Sequence, residues 1–248
     1  MELNDKESIK LNKRETNLIN MQIVNYAQRV FPEEMRLILA TTNLMRRITS
    51  ISKHTIEEFP KNPRLPAIMN LFCRNRELVH FATVCLVNGG YASSKVLMRV
   101  GLENSLCMRL FNKRADLAKE WLSNPEQFGK EWTPKKIREE LFPKGSRLWK
   151  AYNVFYGELC NYAHPSFKGW SEQTYGKNIL WRPVFNADFA SECIGLIFFI
   201  MVHSFDCLTK PFKQWFTDSM IKEINELLHK DSQMVRRHFQ VQKEGKMV

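Results

Sequence analysis

The run Leu71-Phe-Cys-Arg-Asn-Arg-Glu-Leu-Val-His-Phe-Ala-Thr-Val-Cys-Leu-Val-Asn-Gly-Gly-Tyr91 decides the fold. Leu71, Leu78, Ala82 and Cys85, with Phe72, Val79 and Leu86 beside them, recur at three- and four-residue spacing and make one wide apolar helical face. Asn88-Gly89-Gly90 ends that helix, because glycine takes the left-handed C′ conformation without a Cβ clash. A second helical pattern follows almost at once, from about Tyr91 to Phe111. Two long helices joined by so short a turn must lie antiparallel. Elsewhere Gly and Pro are scarce and strand-type alternation is hard to find, so the reading is all-α, an antiparallel helical bundle.

Upstream, Pro60-Lys-Asn-Pro-Arg-Leu-Pro66 is the clearest break, since three prolines in seven residues do not continue a helix. Two helices are expected before it, from about Asp5 to Arg29 and from Pro32 to about Phe59. Residues 1–59 are therefore read as an N-terminal helical extension, 60–230 as the bundle, and 231–248 as a flexible polar tail. Downstream, Thr133 is placed to cap Pro134–Leu141 and Asn186 to cap Ala187–Leu208. The latter is apolar nearly all round and should be the central buried helix. Pro211 is expected to start the last helix, and Phe167–Pro183 reads as an irregular flap. Five of the six tryptophans, at 121, 132, 149, 170 and 181, lie between Trp121 and Trp181. Such a cluster either stacks bases or seals a core under long loops.

Charge and composition narrow the function. The net charge is +11, and residues 60–182 hold 20 of the 37 Lys and Arg but 10 of the 26 Asp and Glu. A basic middle of this kind suits a phosphate-bearing partner, RNA or a nucleotide; an inert basic surface is the alternative. The six cysteines form no Cys-x-x-Cys pair and read as reduced thiols of a cytoplasmic protein. No apolar signal-peptide core opens the chain. The apolar run Ile194–Val202 is shorter than the roughly 20 residues that span a bilayer, so no membrane partner is expected. Glu77-Leu-Val-His80 has the Glu-x-x-His spacing of di-iron bundles, but no second copy exists, so no metal is assigned. Nucleophile-elbow, phosphate-loop and dinucleotide fingerprints are absent from the sequence, and no cofactor is expected.

Two polar features interrupt the apolar helices. Arg99 and Glu103 are the only formal charges from Val96 to Met108, four residues apart, and Lys95 extends their stripe. That stripe is either a solvated ion pair or the positioned wall of a site. The second feature is Tyr152-Asn-Val-Phe-Tyr-Gly-Glu-Leu-Cys-Asn-Tyr-Ala-His-Pro-Ser-Phe-Lys-Gly-Trp170, a helix stopped by Pro165. His164 then sits at a helix C-terminus, where the macrodipole favours its protonated form. Asn161, three residues earlier, shares its face.

With its Leu86-Val-Asn-Gly-Gly-Tyr91-Ala92 turn, Arg99-x-x-x-Glu103 and Tyr156-x-x-Leu159-x-x-Tyr162-x-His164-Pro165-Ser166, the chain resembles HEPN-type helical domains over roughly residues 67–208. It is especially similar to a set of uncharacterised bacterial proteins in or near that group. The resemblance implies a four- to five-helix bundle, often dimeric, in defence or toxin–antitoxin systems. Many members are metal-independent ribonucleases in which an Arg steadies phosphate charge and a His four to six residues later moves protons. This chain departs from that pattern, since the positions upstream of His164 that should offer Arg hold Glu158, Leu159 and no basic residue. Arg74 and His80 have the spacing, but on the wrong helix. The expected site therefore comprises His164 and Asn161 as catalytic candidates, with Arg99, Glu103, Tyr156 and Tyr162 binding a phosphate-bearing ligand or RNA. A metal-independent ribonuclease and a non-catalytic interaction module are the alternatives.

Overall fold

Helix starts and stops follow local chemistry in the computed structural model, which describes residues 25–55, 61–163, 174–175, 178–179 and 186–244. Of the helix expected over 5–29, only the end falls within these residues, and 25–30 are helical. Pro32 then opens α1 (Pro32–Thr55), with Glu33 and Glu34 in its first turn complementing the helix dipole. Helix α2 (Arg64–Val87) starts earlier than expected and takes Pro66 into its first turn, where a missing N–H costs no helical bond. Asn88 closes α2, Gly89 adopts a φ of 74°, and α3 (Tyr91–Lys113) returns antiparallel beside it.

Three short helices carry the chain across one end: α4 (Ala115–Ser123), α5 (Pro125–Glu131) and α6 (Pro134–Leu141). Asn124 and Thr133 accept bonds from Gln127 N and Lys136 N, so each Asx/Thr-Pro step is a capped start. Helix α7 (Arg147–Ala163) packs on α3 and α6. Two short strands, β1 (Thr174–Tyr175) and β2 (Asn178–Ile179), pair antiparallel. Asn186 caps α8 (Ala187–Phe212) through Phe189 N. The last helix does not start at Pro211, which lies in the final turn of α8. A 3-10 turn (Lys213–Trp215) follows, and Thr217 caps α9 (Asp218–Glu244) by accepting from Met220 N.

The fold is all-α, with α8 as its axis. Ile194, Ile197, Phe198, Met201 and Phe205 are buried, and α8 touches α1, α2, α3 and α9. By length and composition Ala187–Trp215 is apolar enough to cross a bilayer, yet 67% of its most apolar window is covered by neighbouring helices. Close crossings need glycine. A Cβ on Gly101 would sit 3.1 Å from Ile200 Cγ2, and one on Gly195 would sit 3.0 Å from His238 Cβ. At the centre a polar knot ties three helices: Asn75 of α2 donates to Ser204 Oγ of α8 (2.9 Å) and accepts from Asn104 of α3 (2.9 Å). Paired this way, a buried amide specifies one register of helix packing instead of costing its desolvation.

Helix α1 belongs to the same core, through Leu37, Ile38, Leu44, Met45 and Ile48. The flexible tail expected from 231 is also not found before Glu244. Leu227, Asp231, Met234 and His238 recur at helical spacing and are buried, and Thr41 of α1 donates to the Asp231 carboxylate at 3.2 Å. These polar residues look like a solvated tail in the sequence, but α1 gives them a partner.

Candidate functional site

The stripe Lys95–Arg99–Glu103 faces α7 rather than open solvent. Spacing of four residues puts all three on one side of α3, and that side packs on Tyr156 and Tyr162. Glu103 Oε1 accepts from the Tyr156 hydroxyl (2.7 Å) and from Arg99 Nε (3.2 Å), while Arg99 Nη2 donates to the same hydroxyl oxygen (3.2 Å). The pair is neither buried nor free, with side-chain exposures of 23% and 28%. Burial, and then the Glu103 carboxylate at its hydroxyl, push the Tyr156 phenol up to about 12. Tyr156 therefore stays a neutral donor across the physiological range.

One turn earlier, Lys95 is almost wholly buried and donates to Glu192 Oε2 (2.7 Å) and Tyr162 OH (3.0 Å). Tyr162 therefore meets Lys95, not the Arg99–Glu103 pair, and the hydroxyl that completes that pair is Tyr156. Asn161 is exposed on α7, and His164 lies outside the described residues. Of the expected site, Arg99, Glu103 and Tyr156 come together, and Tyr162 joins a second, adjoining ion pair. Arg74 and His80 do not act jointly. Six residues of helix turn them to different faces; both are exposed, and His80 stacks edge-on against Phe81.

Sequence reasoning missed Arg138 on α6. Its guanidinium lies 4.4 Å from the Tyr156 ring centroid, its Nε donates to Asn153 (3.1 Å), and the Arg99 guanidinium is 5.4 Å from the same ring. Two cations on one phenol give the site a positive character that Glu103 only partly offsets. Nothing in the local spacing of Arg138 marks it, because the contact needs the turn between α6 and α7.

Beside Glu103 a cavity of about 260 Å³ opens under α4 to α6. Trp121, Phe128 and Trp132 form its apolar walls, with Glu103, Asn104 and Cys107 on the α3 side. Phe128 and Trp132 stack at 6.2 Å and 16°. Burial pushes the Cys107 thiol up to about 12, and the charges of Glu103 and Arg74 both reach it. Arg74 thus bears on this wall through its charge alone, and not through its spacing to His80.

Two further polar clusters lie elsewhere. Arg109 Nη2 reaches His203 Nδ1 and Asp206 Oδ2, both at 2.6 Å, with the Tyr152 hydroxyl close by. An arginine only donates, so Nδ1 accepts and the ring is neutral. Burial, and then the Arg109 charge, bring its pKa down to about 3. Ser191, His238 and Glu34 fall in the order of a nucleophilic triad, with Ser191 Oγ 2.7 Å from His238 Nδ1. His238 Nε2 is 3.4 Å from Glu34 Oε1 but makes no hydrogen bond, and both side chains are 4% exposed. Both clusters clamp helices together. Among the described residues, no group of three or more His, Cys, Asp and Glu side chains is placed to hold a metal ion. Comparison of the chain with protein-family models, with curated proteins and with solved structures gives no match.

Proposed function

We propose that this protein is an intracellular, HEPN-like binding module for a phosphate-bearing ligand, a nucleotide or RNA, with the α3/α7 face as its site. The observation that carries this reading is the juxtaposition of Arg99 and Arg138 on Tyr156 with an aromatic-walled cavity one residue away at Glu103 and Asn104. Guanidinium groups hold phosphate oxygens, and aromatic walls hold bases by stacking. The concentration of Lys and Arg in residues 60–182 supports it by attracting polyanions. The six cysteines, all free, suit a reducing compartment. A role in defence, and a dimer, are what the resemblance adds.

Binding is favoured over cleavage because the groups that meet at Arg99 are a carboxylate and a neutral phenol. The phenol, pushed up to about 12, keeps its proton at neutral pH, and the Glu103 oxygen beside it is already held by both Arg99 and Tyr156. The test is anisotropy of a labelled single-stranded RNA titrated with wild type and Arg99→Ala at several salt concentrations. Binding that weakens with salt and again in the variant, while gels show intact RNA, supports the reading. Salt-insensitive binding, or equal binding by both proteins, removes this face as the site. Metal-independent RNA cleavage would replace the binding module by an enzyme.

A further inference from the structure

We infer that the cavity beside Glu103 is a base pocket that selects guanine, with the nucleotide's phosphate toward the Arg99 side; this rests on the binding function proposed above. Glu103 offers only acceptors. Its Oε1 is taken by Arg99 and Tyr156, and Oε2 accepts no bond among the described residues. Asn104 is turned by the polar knot. Asn75 Nδ2 donates to Ser204 Oγ, so Asn75 Oδ1 must accept from Asn104 Nδ2. The Asn104 carbonyl oxygen accepts no bond among the described residues and belongs to a residue lining the cavity. The Cys107 thiol on the same wall stays protonated.

A pocket lined by the acceptors of Glu103 and Asn104 and by flat apolar walls asks for a planar group that carries N–H donors. Guanine presents N1–H and the N2 amino group side by side. Adenine and cytosine put a ring acceptor next to their amino group, which a carboxylate repels, and uracil has a single N–H between two carbonyls. At about 260 Å³ the space suits one ring system against walls that include Trp121, Phe128 and Trp132. A small organic cation also likes aromatic walls and a carboxylate. The rim disfavours it, because Arg99 is bonded to Glu103 and the Lys136 ammonium already lies 4.4 Å from the Trp132 ring centroid. An anionic ligand with a neutral N–H edge fits both the rim and the floor.

The experiment is titration of the full chain with guanosine, inosine and adenosine monophosphates, followed by calorimetry and tryptophan fluorescence. The guanosine compound should bind at least about tenfold tighter than the adenosine compound, since hydrogen bonds to a charged acceptor are involved. Inosine, which keeps N1–H and lacks the amino group, should fall between. Glu103→Gln should bring guanosine and adenosine within about threefold, because an amide offers a donor beside its acceptor. The ligand series on wild type decides the matter even if that variant folds poorly. Equal affinities for the three nucleotides, or RNA binding with no mononucleotide response, would overturn the guanine pocket and leave the binding module standing. No response to nucleotides or RNA would overturn both.

Discussion

Replacing Glu103 and Arg99 by alanine, singly and together, probes the energetics of the site. An exposed i,i+4 pair is worth about 0.3–0.5 kcal/mol, whereas breaking a buried pair costs about 3–5 kcal/mol. With 23% and 28% side-chain exposure and a shared phenol hydroxyl, this pair lies between those limits. Glu103→Ala removes the acceptor of both Arg99 Nε and the Tyr156 hydroxyl, leaving two partly desolvated donors, so we expect a loss of about 2 kcal/mol. Arg99→Ala leaves Glu103 its bond from Tyr156 and should cost less, about 1 to 1.5 kcal/mol. The double variant should lose less than the sum, with a coupling of about 1 kcal/mol. Urea melts of the four proteins at one pH and low salt give all three quantities. Losses of a few tenths that simply add would show that the stripe is solvated surface and would refute its role as a positioned wall.

Two other substitutions test the framework. Asn75→Ala should cost about 3 kcal/mol in the same melts, because it leaves the Asn104 amide without its acceptor and takes the donor away from Ser204 Oγ and Ser105 Oγ in the core; a loss under 1 kcal/mol would mean that water fills the knot. Asp231 tests α9 against α1. Burial pushes its carboxyl up to about 8, so the folded state holds a proton that the unfolded chain releases near 4. Stability from this group is fully present below the unfolded pKa and is lost as pH rises toward 8. Asp231→Asn should therefore be more stable than wild type at pH 8, by about 1 kcal/mol or more, with the gain shrinking toward pH 4. A gain independent of pH would contradict this.

How much of this was legible in the sequence depended on whether the signal was local. The α2–α3 hairpin was readable because Asn88-Gly89-Gly90 and the apolar spacing on both sides act within a few residues. So were the caps at Thr133 and Asn186. The Pro211 expectation failed because a proline in a last helical turn disturbs little, while the Thr217 cap that starts α9 is a weaker pattern. The tail expectation failed because Asp231 and His238 look solvated unless Thr41, Glu34 and Ser191 are known to face them. The Lys95–Arg99–Glu103 stripe could be recognised, but not its partner. Which side of α3 meets α7 is set by the packing of α8, and Arg138 reaches Tyr156 only through the bend between α6 and α7. The Trp-rich segment divides in the same way: Trp121 and Trp132 line a cavity, and no pattern in the chain joins them to Glu103.

The most direct test of the central claim is to photocrosslink a nucleotide or short RNA carrying a photoreactive base to the full chain and map the modified peptides. The account predicts adducts on the segments containing Trp121, Trp132 and Tyr156, suppressed by unmodified competitor and by Arg99→Ala. Competitor-sensitive adducts confined to another surface, such as the exposed face of α9, would contradict it.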